Sequence, residues 1–559
     1  MERKEKKLRQ DLILSIMSGC LLGLSFPPYP FPLLALVGFV PLLLLIERQP
    51  KHLYLHLYLT FFLYHCLANW WIGSWSSETD PYLLASCIGL AIVHPFFFML
   101  PIATYNVIKK RSLPSTSLIL FPFIWVSFEW LHSIGELAFP WLSIGYTQVL
   151  NFYYVQVADI SGVWGVSFLV IWVNVIIYKL IYLAKQRKSK KIILSELFAI
   201  PSFRKYTVAL ALTLILPYIY GIIRVNQFEH KEMLELSPTV NVAVIQPNIN
   251  PWRKWDLDTY QQIELHQKIQ DSLARAVGKL DLSIWSETSI TYISPEFNRY
   301  HNFSFLQDWI NLTKTNLLAG FADFYIYPNQ KKAPVTARKW MDTDSLFEPF
   351  NSAILIQPQE SGLLKKQVQI YHKSQLTPFG ERVPYAEYLK FATKWMEFSV
   401  GISGWGVGRE LKNLSFKKNE FDVRVAPIIC IESIFPLLVR NFVLMDANLI
   451  SVITNDGWYD HTIGPEQHFC IAQMRAIENR RYLARCANTG VSGFIKPTGE
   501  PLLKAPQYKS IGIAATLPLL DGNTCFAIIG NFLSIISTSI VLISIIYCFY
   551  VRKNNVCSS

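Results

Sequence analysis

Apolar residues in this chain follow two regimes. Up to about residue 223, and again over 524–550, they run on for the length of a membrane crossing; between these stretches they come in short β-branched bursts. A helix needs about twenty largely apolar residues to cross a hydrocarbon core. The pattern predicts spans near 11–27, 32–46, 53–72, 82–108, 115–132, 160–183, 206–223 and 524–550. The first two join through "PPYPFP", a turn in which helix cannot continue. "FPWLSIGYTQ" (139–148) is apolar but broken, and reads as re-entrant or interfacial. Tryptophan and tyrosine near the span ends suit interfacial anchoring.

Between 240 and 515 the period changes. "TVNVAVIQ", "LDLSIW", "TNLLAG", "SAILIQ", "VRVAPIIC", "NLISVIT" and "VSGFIK" read as strands, and 257–278 and 465–486 as helices. Continuous apolar strands alternating with helices predict an α/β domain whose sheet is covered by helices. The expected organisation is a seven-helix membrane domain over 1–223, an extramembrane domain over 224–523, and an eighth span with its tail over 524–559. No glycine-rich phosphate loop follows a strand, which argues against a nucleotide site.

Composition agrees. Of 559 residues 51% are hydrophobic, and the mean hydropathy of +0.26 is too apolar for a soluble enzyme. The net charge of +12 could suggest a nucleic-acid partner, but its distribution argues against one. Lysine and arginine number five in "MERKEKKLRQ", two in "ERQPKH", three at 109–111, seven over 185–205 and two in "VRKNN". The alternate loops 27–31, 73–81 and 133–159 hold none. Positive residues stay on the cytoplasmic side, so eight crossings predict cytoplasmic termini and an outward-facing 224–523. The nine cysteines show no CxxC or Cys/His spacing, so neither a zinc site nor a disulfide framework is expected. Cys20, after a basic start, resembles a lipoprotein signal, but "LLGLSF" continues apolar and reads as an ordinary first span.

Three predicted strand ends carry residues a buried strand would not choose. Glu287 follows "LDLSIW", Lys373 follows "IYH" with Glu381 eight residues on, and Cys430 follows "VRVAPII". Asn455 and Asp456 follow "NLISVIT". Each has an ordinary explanation: a helix cap, a solvated amine, a thiol used as a small core residue. Together, at strand ends where α/β crevices form, they suit covalent acyl transfer. An unperturbed thiol is mostly protonated at neutral pH and needs a base, a carboxylate can carry its proton, and an ammonium can hold the tetrahedral oxyanion. Cys470 and Cys486, within 465–486, read as packed; His94 and Glu129 are ionisable groups inside spans, without an assigned role.

"WSET", "YHKSQLTPFGERVP", "CIES", "NDGWY" and "RAIENRRYLARCANTGVSGFIKPTGE" resemble the motif series of the nitrilase, or carbon–nitrogen hydrolase, superfamily. The resemblance implies an α-β-β-α sandwich and a catalytic triad of Glu287, Lys373 and Cys430. With the spans, and with "LLGLSFPPYPFP" and "FPWLSIGYTQ", nearly the whole chain resembles the apolipoprotein N-acyltransferase branch, bacterial inner-membrane proteins with a periplasmic catalytic domain. That implies a two-step reaction without cofactor or metal. Cys430 would take a fatty acyl chain from a phospholipid, and the thioester would pass it to the α-amine of a lipoprotein's S-diacylglyceryl cysteine. Glu381 matches a second glutamate that orders the lysine or the amine, Trp255 a tryptophan on a loop near the site, and Glu432 the acid beyond the nucleophile. Ile431 departs from the tyrosine frequent after the nucleophile. A monomer is expected. The alternatives are a membrane-tethered amidase or nitrilase that gives its acyl group to water and, behind it, a transporter or lipoprotein-binding scaffold.

Overall fold

The computed structural model describes residues 2–73, 81–111, 114–186, 194–229, 237–291, 301–327, 333–334, 336–339, 344–359, 368–388 and 404–557. Two compact units emerge: Met1–Ser133, Phe139–Gln227 and Ile529–Ser559 form one, and Ile134–Ala138 with Phe228–Ile528 the other.

The first unit is helical: α1 (Glu2–Gly23), α2 (Ala35–Arg48), α3 (Leu53–Ala68), α4 (Pro81–Lys109), α5 (Pro114–Leu131), α6 (Ala158–Lys185), α7 (Leu194–Phe198), α8 (Pro201–Glu229) and, near the C-terminus, α14 (Phe532–Cys557). Helix α1 packs on α2 and α3, α6 on α2 and α5, and α14 on α5. Small residues allow the closeness: a Cβ at Gly19 would stand 2.5 Å from the Thr60 carbonyl oxygen. Among the described residues, Leu83–Lys109, Tyr154–Lys185, Pro201–Glu229 and Phe532–Tyr550 are long and apolar enough to cross a membrane, while Leu53–Ala68 and Ser117–Leu131 are shorter apolar helices. Leu212, Ile215, Leu216 and Ile219 on α8, and Ile543 and Ile546 on α14, are exposed. Apolar surface that continuous is stable against lipid rather than water, and the unit is membrane-embedded. The buried Asn174 shows how a polar group is satisfied inside it. Asn174 Nδ2 donates to the carbonyls of Ala35 (2.8 Å) and Val170 (2.9 Å), and its Oδ1 accepts from Phe39 N at 2.8 Å. Segment 139–148 forms short, buried 3-10 turns. Most of the predicted loop 73–81 lies outside the described residues.

The second unit is built on two sheets. In the first, β1 (Thr239–Gln246), β2 (Leu282–Trp285) and β3 (Asn316–Tyr327) are parallel neighbours. Antiparallel β13 (Ile511–Pro518) flanks β1, and β5 (Leu346–Ile356) pairs with β3, β4 (Arg338–Lys339) and β6 (Val368–His372). In the second, β8 (Phe421–Ile429), β9 (Leu449–Thr454) and β10 (Leu483–Ala487) are parallel, edged by β7 (Leu414–Lys418) and by β11 (Gly493–Ile495) with β12 (Pro501–Lys504).

Alternation along the strands assigns the layers. Val240, Val242 and Val244 join Ile429, Ile453 and Phe494, on the face from which Cys486 Sγ reaches the Ile245 and Ile284 carbonyls, in one core, whereas Ala243 and Ile245 join Ile263 of α9 (Thr259–Val277) and Ile310 of α10 (His301–Thr313) in another. Successive strand residues face opposite sides, so the first cluster lies between the sheets and the second beneath the helices. Each valine buried between sheets contributes roughly 1.5–3 kcal/mol. Helices α11 (Pro436–Leu444) and α12 (Gly464–Asn479) pack against the second sheet; a short α13 (Cys525–Ile529) precedes α14. This is the α-β-β-α sandwich.

Two expectations are corrected. The helix predicted over 465–486 ends at Asn479; Arg480 turns left-handed (φ 49°), and 483–487, with Cys486, is the buried strand β10. The break falls within the charged "ENRR" (478–481), which reads equally well as the polar face of a continuing helix, so periodicity alone did not reveal it. The predicted strands "TNLLAG" and "SAILIQ" are longer than expected: β3 runs on to Tyr327 and β5 begins at Leu346, and the two pair antiparallel along their added lengths, Tyr327 opposite Leu346.

Candidate active site

Strands β2 and β8 release the chain at their carboxyl ends, and β6 ends beside them. The turn after β2 carries Glu287, held closely by β3: Gly320 N donates to Ser286 O at 3.2 Å, and a Cβ at Gly320 would come within 2.6 Å of Glu287 Cα. Lys373, just past β6, continues the ladder by donating its N–H to the Asn351 carbonyl at 2.8 Å. Cys430 opens a 3-10 turn (Cys430–Ile434) directly after β8, with φ at +49°; Thr288, beside Glu287, is also left-handed at +47°. Such backbone in non-glycine residues costs on the order of 1–3 kcal/mol and persists where the surroundings over-determine it.

The side chains converge. Lys373 Nζ donates to Glu381 Oε1 at 2.8 Å and to Glu287 Oε1 at 3.3 Å. Asn351 Nδ2 bridges the same two oxygens, 2.7 Å from Glu287 and 2.8 Å from Glu381. Glu287 Oε2 accepts from Asn455 N at 3.0 Å, and Glu381 Oε2 from Thr377 N at 2.7 Å. The half-buried Cys430 thiol lies within the electrostatic reach of Glu287, Lys373, Asp456 and Glu381.

Burial and charge set the protonation states. Burial alone would lower the Lys373 ammonium, but Glu381 and Glu287 outweigh it and hold Lys373 above its ordinary value. Burial would raise Glu381, and Lys373 with the Thr377 and Asn351 donors brings it below the usual carboxylate range. Burial, reinforced by Glu287, pushes the Cys430 thiol well up against the pull of Lys373. The resting site therefore holds an ammonium, ionised Glu381 and a protonated thiol.

Other residues hold this frame. Glu432 is buried and bonded entirely within the protein: Oε1 accepts from Tyr371 OH (2.6 Å), Ser374 N (2.7 Å), Ser374 Oγ (2.9 Å) and Gln375 N (3.3 Å), and Oε2 from Ile429 N (2.8 Å). It ties the turn that opens with Cys430 to the segment after Lys373. Trp255 is half-buried in the turn Lys254–Asp256. Its neighbour Lys254, which the sequence did not single out, is buried, donating to Glu287 O and Thr288 Oγ1, both at 2.9 Å. Burial lowers this ammonium to about 7 despite the attraction of Glu287. Asn351 was missed as well; the only signal for either was a polar residue beside an aromatic run. Tyr459 lies close enough for burial, then the charges of Cys430, Asp456 and Glu287, to raise its phenol. Among the described residues no group of three His, Cys, Asp or Glu side chains is arranged to hold a metal.

A two-sheet sandwich with a carboxylate, an amine and a thiol at its strand ends is the architecture of the carbon–nitrogen hydrolases, and the sequence profile of that family matches residues 241–519. The profile of the apolipoprotein N-acyltransferase N-terminal domain matches residues 18–176. The apolipoprotein N-acyltransferase of Chlorobaculum tepidum is 33% identical over 525 residues, covering 92% of this chain and 91% of that one. The protein of the same name from Geobacter metallireducens is 28% identical over 523 residues (93% and 91%), and that from Haemophilus influenzae 26% over 558 (97% and 96%). The chain belongs to the apolipoprotein N-acyltransferase family.

Proposed function

We propose that this protein moves a fatty acyl chain from a membrane phospholipid to the N-terminal amine of a lipoprotein's S-diacylglyceryl cysteine, through a thioester on Cys430. The observation that carries this reading is the convergence of Glu287, Lys373 and Glu381 around the Cys430 thiol in a family member with a membrane-embedded unit.

Cys430 Sγ attacks the ester carbonyl carbon of the phospholipid while Glu287 takes the thiol proton. Lys373 faces the oxyanion; held charged by two carboxylates, it stabilises negative charge without surrendering a proton. Collapse breaks the ester C–O bond, and Glu287 returns the proton to the departing lysophospholipid. The amine then attacks the thioester, Glu287 removes its proton, the C–S bond breaks, and the thiol is reprotonated. Glu381 and Asn351 keep Lys373 and Glu287 in register, and Glu432 secures the nucleophile turn. Trp255, on the loop that Lys254 fastens to the base-bearing turn, lines substrate entry. These steps use only side chains of the chain.

The lysine and arginine distribution supports an inner-membrane placement with cytoplasmic termini and a periplasmic domain 224–523.

The test feeds the acyl-enzyme, formed with phospholipid, either a diacylglyceryl-cysteine peptide or buffer alone. Mass spectrometry should show the acyl mass on the Cys430 peptide and its transfer to the peptide α-amine, which is partly neutral at about pH 7.7–8.0, unlike lysine near ~10.4. Rapid loss to water without N-acylated peptide would instead support the hydrolase.

A further inference from the structure

Against the Cys430 backbone lies a second chain of polar side chains. Asp456 Oδ2 accepts from Arg485 Nη2 at 2.8 Å, and its Oδ1 accepts from Thr454 Oγ1 at 2.8 Å and from His468 Nδ1 at 2.9 Å. His468 Nε2 stands 2.7 Å from Ser433 Oγ and 3.2 Å from the Cys430 carbonyl, and Ser433 Oγ lies 2.9 Å from that carbonyl. Ser433, His468, Asp456 and Arg485 are all buried. The order serine, histidine, aspartate is that of a hydrolytic triad, but a fully enclosed hydroxyl cannot meet a substrate. Its neighbour is the backbone of the nucleophile.

The protons can be assigned from the network. Burial would raise Asp456, but Arg485 and His468 bring it below the ordinary range, so it is ionised and only accepts. His468 Nδ1 therefore carries the proton. Burial, with Arg485, lowers the imidazole, which leaves Nε2 as an acceptor. The single Ser433 hydroxyl proton is then shared between Nε2 and the Cys430 carbonyl. In a trans peptide the carbonyl and the following N–H point opposite ways. Fixing the Cys430 oxygen fixes the Cys430–Ile431 plane, the left-handed backbone at Cys430, and with them the direction of Cα–Cβ.

We propose that Asp456, His468 and Ser433 form a positioning relay that holds the Cys430–Ile431 peptide so that the thiol points at the acyl donor. The relay starts from the segment that also steadies the base, since Asn455 N donates to Glu287 Oε2. One rigid segment, 454–456, thereby sets the relative placement of base and nucleophile. The proposal rests on the reading of Cys430 as the nucleophile.

The test measures single-turnover acylation of Cys430 by phospholipid, with the apparent phospholipid KM and the thermal midpoint, in the full chain in detergent. Ser433→Ala, His468→Ala and the double variant are compared. Misplacement of a reacting group by a fraction of an ångström to an ångström costs up to about 100-fold. Each single variant should slow acylation by about 10- to 100-fold with KM within twofold. Because the residues act through one another, the double variant should be no slower than the slower single one. Ser433→Ala, nearly isosteric, should keep the thermal midpoint and decides alone if His468→Ala does not fold. Wild-type acylation in Ser433→Ala, losses that multiply in the double variant, or a raised KM with an unchanged rate would each overturn the relay. Absence of acyl mass on Cys430 in the unaltered protein would overturn the thioester reading instead.

Discussion

Glu287, after burial itself, raises the Cys430 thiol, and it is also the group proposed to deprotonate it. The two effects separate on substitution. In the unaltered protein alkylation of Cys430 by iodoacetamide should keep rising with pH above about 8.5, where an ordinary thiol is half ionised, because the raised thiol is only slightly ionised there. Glu287→Gln removes the negative neighbour, so the thiol value falls and the alkylation profile moves to lower pH. The same change removes the base and should cut acyl transfer by about 100- to 10,000-fold. Glu287 is thus expected to make Cys430 less reactive to a simple alkylator and more reactive to its substrate. A profile that moved to higher pH in Glu287→Gln would contradict the arrangement.

At the scale of elements, the site depends on how tightly strands deliver their ends. Strand β3 passes the Glu287 turn so closely that a Cβ at Gly320 would lie 2.5 Å from Thr288 N and 2.6 Å from Glu287 Cα, both main-chain atoms that cannot swing aside. Gly320→Ala should therefore displace Glu287 by pushing β2 from β3. We expect a fall in acylation rate of about 100-fold and a loss of stability of about 1–3 kcal/mol, read by kinetics and by thermal unfolding of the same preparation. Unchanged acylation would mean that the turn has slack the geometry does not show. The two elements read wrongly from sequence share a cause. The strand β10 follows α12 across Arg480, whose left-handed turn is marked by no glycine, and the added ends of β3 and β5 carry no regular alternation and become strand only through their pairing with each other.

For the whole molecule, an apolar helical unit and a mixed two-sheet unit are joined in one chain, consistent with an enzyme whose substrates both carry acyl chains. The absence of lysine and arginine from alternate loops gives the topology a direct test. A reporter fused after Arg224 should be active only outside the cytoplasm, and one fused after Tyr182 only inside. The reverse pattern would overturn the proposed periplasmic placement of 224–523.

Hydrophobic period and positive charge are sums over neighbouring residues, and so the apolar stretches, the alternating strand segments and the conspicuous Glu287, Lys373 and Cys430 at strand ends were legible in the sequence alone. So was the family, because its motifs are contiguous. What meets what was decided by the tertiary structure. Lys373 and Glu287 stand 86 residues apart and Tyr371 and Glu432 61, and no local pattern encodes such pairings. Asn351, Lys254, Ser433 and His468 look like ordinary surface residues until the sheets close over them. Burial then removes water as an alternative partner, and each polar group must find its hydrogen bonds within the protein. That requirement, imposed by the packed fold, turns scattered polar residues into the frame around one thiol.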